Sequence, residues 1–170
     1  MGNGNEKPLA GFGVLVVEDE PLLRRRLRAN LEALGADVSG AENLTIARYQ
    51  LSDTAFDFVL LDVNLPDGVG LDLLRAGEIP KETGVVVMTA LGGVEGAVEA
   101  MRLGALDYLV KPFDPGMLPL VMGRARKTRQ ATRAAAHERG AEKERSFFFG
   151  EALEPLKKRL EKIREADQRL

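Results

Sequence analysis

The chain contains no cysteine at all and one histidine in 170 residues. Without thiols, neither a disulfide framework nor a thiolate metal site can form, and the absence fits a reducing cytoplasm. Long apolar runs are missing too. Nothing approaches the roughly 20 apolar residues of a membrane-spanning helix, and Met1–Pro8 is polar where a signal peptide carries its apolar core. The Met-Gly opening is followed by Glu6, not by the Ser or Thr preferred there for myristoylation. A soluble, cytoplasmic protein without membrane contact is expected. The glycine-rich Walker A pattern is also absent, so these residues hold no P-loop for ATP.

Net charge is only −2, but its distribution is uneven. Residues 1–123 hold 10 Lys+Arg against 18 Asp+Glu, a net of −8, whereas 124–170 hold 14 against 8, a net of +6. In the basic part, acids are interspersed with bases and the only aromatics are Phe147, Phe148 and Phe149. That pattern reads as a solvated helix face ahead of a nucleic-acid arm. At 45% hydrophobic and 29% charged residues, the chain has material for one good core plus something smaller.

Apolar runs alternate with helical patterns. Strands are expected at 13–17, 37–41, 56–62, 84–89 and 107–110. Helices are expected at 21–34, 43–52, 69–76 and 94–103, with Gly35 and Gly104 as left-handed stops. In the first helix Leu22, Leu23, Leu27, Leu31 and Leu34 form the apolar stripe. Five such units imply an α/β fold with a five-stranded parallel sheet, helices on both faces, and the flavodoxin-like order 2-1-3-4-5. A fifth helix is expected to start near Gly116, with Pro119 confined to its first turn. Leu118, Val121, Ala125, Thr128, Thr132 and Ala135 then make a short heptad seam.

The chemistry lies at the strand ends. Val14–Val17 is closed by Glu18-Asp19, Phe58–Leu61 by Asp62, Val85–Met88 by Thr89, and Tyr108–Val110 by Lys111. In a parallel sheet the carboxyl ends of the strands share one edge, so acid, acid, hydroxyl and amine can converge there. Such a site suits a divalent cation and a phosphoryl group on Asp62. Each residue alone has a plainer reading: acids at a helix N-terminus, a loop cap, a β-propensity threonine, a solvated lysine.

Together the stretches Val16-Val-Glu-Asp-Glu20, Leu60-Leu-Asp-Val-Asn-Leu-Pro-Asp-Gly68, Met88-Thr-Ala90 and Gly104-Ala-Leu-Asp-Tyr-Leu-Val-Lys-Pro-Phe113 resemble the receiver domain of two-component response regulators. The resemblance covers residues 12–123. It implies that Asp62 is the phosphoacceptor for a histidine kinase, and that Mg²⁺ is held by Glu18, Asp19, Asp62 and the backbone carbonyl of Asn64. It further implies that Lys111, the Thr89 hydroxyl and the backbone N–H of Ala90 bind the phosphoryl group. Thr89 and Tyr108 would act as the switch pair, and Pro112 occupies the family's cis-proline position. A homodimer is expected through Leu118, Val121 and Ala125, or through the face of the fourth helix.

Residues 124–145 read as a helical linker. From Ser146-Phe-Phe-Phe-Gly150 onward the chain is similar to the opening of the AAA+ domain of sigma-54-dependent, NtrC-like activators. On that resemblance, sigma-54 RNA polymerase and DNA are partners only through domains outside these residues. His137 lacks the following Leu and Pro of a kinase phosphoacceptor box and reads as a solvated linker residue. Two alternatives carry their own discriminators. A haloacid-dehalogenase-type phosphatase also uses a strand-end Asp but needs a second Asp where this chain has Asn64. A constitutive dimerisation or docking module would assemble without regard to phosphoryl analogues.

Overall fold

The structure, a computed structural model, describes residues 7–124. Its elements in chain order are β1 (Gly13–Val17), α1 (Pro21–Ala33), β2 (Asp37–Ala41), α2 (Leu44–Asp53), β3 (Phe58–Asp62), β4 (Asn64–Leu65), β5 (Gly68–Val69), α3 (Asp72–Arg75), β6 (Gly84–Thr89), α4 (Val94–Arg102) and β7 (Asp107–Val110). A 3-10 turn, Pro115–Met117, leads into helix over 118–124. The expectations for Ala125, the linker and the stretch from Ser146 lie outside the described residues. Among the described residues, no helix is long and apolar enough to cross a membrane.

Five strands form one parallel sheet in the order β2-β1-β3-β6-β7, as the sequence predicts for its five main strands. β3 lies at the centre, paired to β1 from Val14↔Phe58 to Val17↔Leu61 and to β6 from Phe58↔Gly84 to Asp62↔Met88. Every residue of β3 and β6 is buried, because helices cover both faces of a parallel sheet and leave neither to water. Alternation divides the strand side chains between two cores. Val14, Val16, Phe58, Leu60, Val86 and Met88 pack with Leu27 and Leu31 of α1 and with Leu118, Val121 and Met122. Leu15, Val17, Val59, Leu61, Val85 and Val87 pack with Leu44 and Ala47 of α2, Leu73 of α3 and Ala100 of α4.

Local signals explain the boundaries. Asn43 caps α2 by accepting the Ile46 N–H at 2.8 Å. Gly35 (φ +97°) and Gly104 (φ +96°) stop α1 and α4 in the left-handed region, where a Cβ is disfavoured.

Several expectations are corrected. Leu22 belongs to no core stripe: it is 63% exposed, while Leu27 and Leu31 carry the buried face. The third helix shrinks to four residues: Val69 joins the antiparallel pair Asn64↔Val69 and Leu65↔Gly68, and Gly70, Leu71 and Ala76 are turn residues. The last helix does begin near Gly116, as the 3-10 turn Pro115–Met117, and becomes α-helical from residue 118 with Pro119 in the first α turn. Leu118 and Val121 do not form an exposed dimer seam; both are buried in the core beside α1. With Met122 they are the helix's own inward stripe at i, i+3, i+4, and burying a Leu there is worth about 1.5–3 kcal/mol. Leu120, 67% exposed, faces outward instead.

Candidate functional site

Parallel strands bring their C-terminal ends to one edge, and three carboxylates meet there. Glu18 and Asp19 follow β1 directly, and Asp62 is the last residue of β3. One carboxylate oxygen from each lies within 4.8 Å of the others. Glu18 and Asp62 are buried and Asp19 is exposed, so the cluster opens to solvent on one side. Lys111, just after β7, reaches over the strands. Its Nζ donates to Glu18 Oε2 at 2.6 Å and to Asp62 Oδ2 at 2.8 Å.

Burial pushes the Glu18 carboxyl above the ordinary glutamate range. The Lys111 ammonium and the Glu20 N–H, which bonds Glu18 Oε1 at 3.1 Å, oppose that rise, and the Asp62 charge adds to it. At Lys111 burial pulls the pKa down, but the hydrogen bonds to Asp62 and Glu18 outweigh it and hold the ammonium above the usual lysine value. The lysine is therefore a fixed cation at neutral pH. Three acids against one cation leave an excess of negative charge, and the donors are hard oxygens. That set fits a hard divalent ion such as Mg²⁺.

Thr89 closes β6 and is buried. Its hydroxyl donates to the Leu91 carbonyl and accepts the Leu91 N–H, both at 3.2 Å. Tyr108, half-buried on β7, donates its phenol to the same Leu91 carbonyl at 3.3 Å. The two residues expected to act as a switch thus meet on one backbone oxygen. Ala90 is exposed at the β6 end, and the Lys111–Pro112 peptide is cis. Asn64 is two residues past Asp62 and donates its backbone N–H to Asp62 Oδ1 at 3.3 Å.

The sequence reading did not single out Leu91, Arg24, Asp67 or Gly70. Arg24 donates to the backbone carbonyls of Glu18 (2.6 Å) and Asp19 (3.2 Å). Asp67 accepts the N–H groups of Leu44 (2.8 Å) and Thr45 (3.0 Å). Gly70 donates its N–H to the Val63 carbonyl at 2.7 Å, and any Cβ there would run into the Asp62 carbonyl oxygen. Only the glycine signals its role in the sequence, as a Gly-x-Gly turn; the other contacts join side chains to backbone over distances that periodicity does not report.

Residues 14–122 match the family model described as the response regulator receiver domain. The chain is 38% identical over 116 residues to the response regulator protein PilR of Pseudomonas aeruginosa, covering 68% of this chain and 26% of PilR. To the regulatory protein AtoC of Escherichia coli K12 it is 35% identical over 125 residues, covering 73% of this chain and 27% of AtoC. It therefore spans about a quarter of the length of these curated relatives. Among solved structures, a response regulator protein from Burkholderia pseudomallei with a phosphorylated aspartic acid, calcium ion and citrate has a TM-score of 0.62 at 26% identity, covering 74% of each chain. The parallel sheet, the acidic edge and the matched span agree, and the chain belongs to the response regulator receiver domain family.

Proposed function

We propose that Asp62 accepts a phosphoryl group from the phosphohistidine of a histidine kinase and that the phosphorylated domain controls an output region. The observation that carries this reading is the Lys111 ammonium bonded to both Glu18 and Asp62 inside a three-carboxylate cluster. Phosphoryl transfer is chiefly positioning and charge stabilisation, and this edge supplies both. A carboxylate oxygen of Asp62 bonds to phosphorus in line with the leaving nitrogen. The P–N bond breaks, its electron pair passes to the imidazole, and the imidazole leaves neutral when its other nitrogen is protonated.

Glu18, Asp19, Asp62 and the Asn64 carbonyl would hold Mg²⁺, which supplies positive charge to the transferring oxygens. Lys111 releases Asp62 and pairs with a phosphoryl oxygen. The Thr89 hydroxyl turns from Leu91 toward the phosphoryl group, joined by the Ala90 N–H. Losing that donor frees the Leu91 carbonyl, to which Tyr108 is also bonded, so the β6–α4 loop and the Tyr108 ring rearrange together. Self-catalysed transfer and slow autodephosphorylation are the only chemistry assigned to the chain.

For the output, the reading is a sigma-54-dependent, NtrC-like activator: receiver over 12–123, helical linker over 124–145, and the start of an AAA+ domain over 146–170. The run Ser146-Phe-Phe-Phe-Gly150 and the similarity to PilR and AtoC support it. Contacts with sigma-54 RNA polymerase and DNA would belong to residues beyond this stretch, and a homodimer would form through the linker or the α4 face. The test is incubation with acetyl phosphate and Mg²⁺ followed by intact-mass measurement. One hydroxylamine-sensitive phosphoryl group per chain is expected, and none in Asp62→Asn. No incorporation, or incorporation that persists in Asp62→Asn, would sink the reading.

A further inference from the structure

The residues expected to hold the metal sit on two separate loops, one after β1 (Glu18, Asp19) and one after β3 (Asn64). The sheet ladder runs one residue past each strand, through the Glu18 N–H on the Ala41 carbonyl and the Val63 N–H on the Met88 carbonyl, both at 3.0 Å, and leaves Asp19 and Asn64 beyond it. Both are tied to the same corner, where β2 passes into α2.

On the β3 side the tie is Asp67, in the turn between β4 and β5. Its Oδ1 accepts the Leu44 N–H at 2.8 Å, and its Oδ2 accepts the Thr45 N–H at 3.0 Å and the Thr45 hydroxyl at 2.9 Å. The two N–H groups are first-turn donors of α2, which the helix itself leaves unsatisfied. The Asn43 side chain accepts the Ile46 N–H, and its backbone carbonyl accepts that of Ala47. The helix end also favours a negative charge, and the Leu44 N–H above all holds the Asp67 carboxyl below its ordinary range. The loop lies flush on the helix, since a Cβ at Gly68 would stand 2.8 Å from Leu44 Cδ1. Because β4 and β5 pair from Asn64↔Val69 to Leu65↔Gly68, fixing Asp67 fixes Asn64.

On the β1 side the tie is Arg24. Its guanidinium donates to the Glu18 and Asp19 carbonyls and lies 3.7 Å from Glu42, in the loop that enters α2. We propose that Asp67 and Arg24 are positioning residues, which pin the two ligand-bearing loops to the N-terminal corner of α2 and thereby set the affinity of the acidic cluster for Mg²⁺. This inference rests on the phosphoacceptor reading for the metal, but not for the tether itself.

The full chain is titrated with Mg²⁺ while backbone amide shifts are followed by NMR, and amide hydrogen exchange is measured without metal. Removing an outer partner of a metal site commonly weakens binding ten- to a hundredfold, so Asp67→Ala and Arg24→Met should each raise the dissociation constant about tenfold. Asp67→Asn keeps an oxygen for the Leu44 N–H and should recover part of the loss. In Asp67→Ala, faster exchange should be confined to 64–70 and the first turn of α2. The control is Thr83→Val, which removes the hydrogen bond to the Phe56 carbonyl at the opposite edge of the sheet. It should lose stability yet bind Mg²⁺ within about twofold of the parent, since it touches neither loop.

Unchanged affinity in Asp67→Ala, or an equal loss in Thr83→Val, overturns the proposal. If the parent chain bound no Mg²⁺, the acidic-cluster reading would fall on its own. Exchange would then decide the tether: acceleration local to 64–70 supports it, and uniform acceleration refutes it.

Discussion

Replacing Glu18 by Gln should make the metal-free protein more stable, although it removes a hydrogen-bonded ion pair. Glu18 is 1% exposed, and its folded-state pKa is raised chiefly by burial and also by the Asp62 charge. Between the ordinary glutamate value of 4.5 and the raised value, the folded protein binds more protons than the unfolded chain. In that window the charge on Glu18 costs more stability as pH rises. The advantage of glutamine is therefore absent below 4.5 and complete above the folded-state value. Lys111, whose pKa is raised, holds its contribution until pH climbs past the ordinary lysine value of 10.5, so it stays constant across the neutral range.

Exchanging a buried ion pair for neutral groups of similar volume is often neutral or stabilising by about 1–4 kcal/mol. The low end applies here, about 1 kcal/mol, because Lys111 keeps Asp62 as a partner and is 17% exposed to water. For a domain of roughly a hundred residues that is about 4 °C in melting temperature. The chain has no tryptophan, so far-UV circular dichroism in chelator, from about pH 5 to about pH 8, is the suitable assay. The gap between Glu18→Gln and parent should widen as pH rises. Mg²⁺ at about ten times its dissociation constant then adds about 1.4 kcal/mol to the parent and less to the variant, closing the gap. A variant that melts below the parent in chelator at neutral pH would refute the reasoning. So would a gap that ignores both pH and Mg²⁺.

The buried and outward faces of the last helix should separate cleanly. Leu118→Ala should lose about 2–5 kcal/mol in urea unfolding, and Leu120→Ala less than about 0.5 kcal/mol; equal losses would show that the helix does not pack this way. Gly70→Ala should cost at least about 1–3 kcal/mol and slow the labelling of Asp62, because the added methyl strikes the Asp62 carbonyl. Normal stability with normal labelling would refute that close approach.

Much of this architecture is legible in the residues, for a physical reason. Buried parallel strands must be apolar throughout, so Phe58–Leu61 and Val85–Met88 announce themselves, and the polar residue that closes each run marks the ligand edge. Glu18, Asp19, Asp62 and Lys111 are found by that logic, and the structure brings them together. What escapes is what periodicity does not encode. A two-pair hairpin such as Asn64–Leu65 with Gly68–Val69 is too short to show an alternation. A 3-4 spacing at Leu118 and Val121 specifies an apolar face without saying whether it meets its own sheet or a second chain. Arg24 and Asp67 do their holding through backbone groups, and Asp67 reaches its partners across 22 and 23 positions.

The placement of Asp62 at the tip of β3 has a mechanical consequence. That strand is flanked on both sides and buried along its whole length, so Asp62 is held by more packing than the loop residues that follow the strand ends. Compliance lies elsewhere, in the segment after Thr89, where Leu91 and Val94 stand 78% and 82% exposed. A load applied at an unyielding anvil is delivered to whatever gives way. On the phosphoacceptor reading, a charge added at Asp62 would therefore displace the β6–α4 loop and the Tyr108 ring sooner than the strand that bears it.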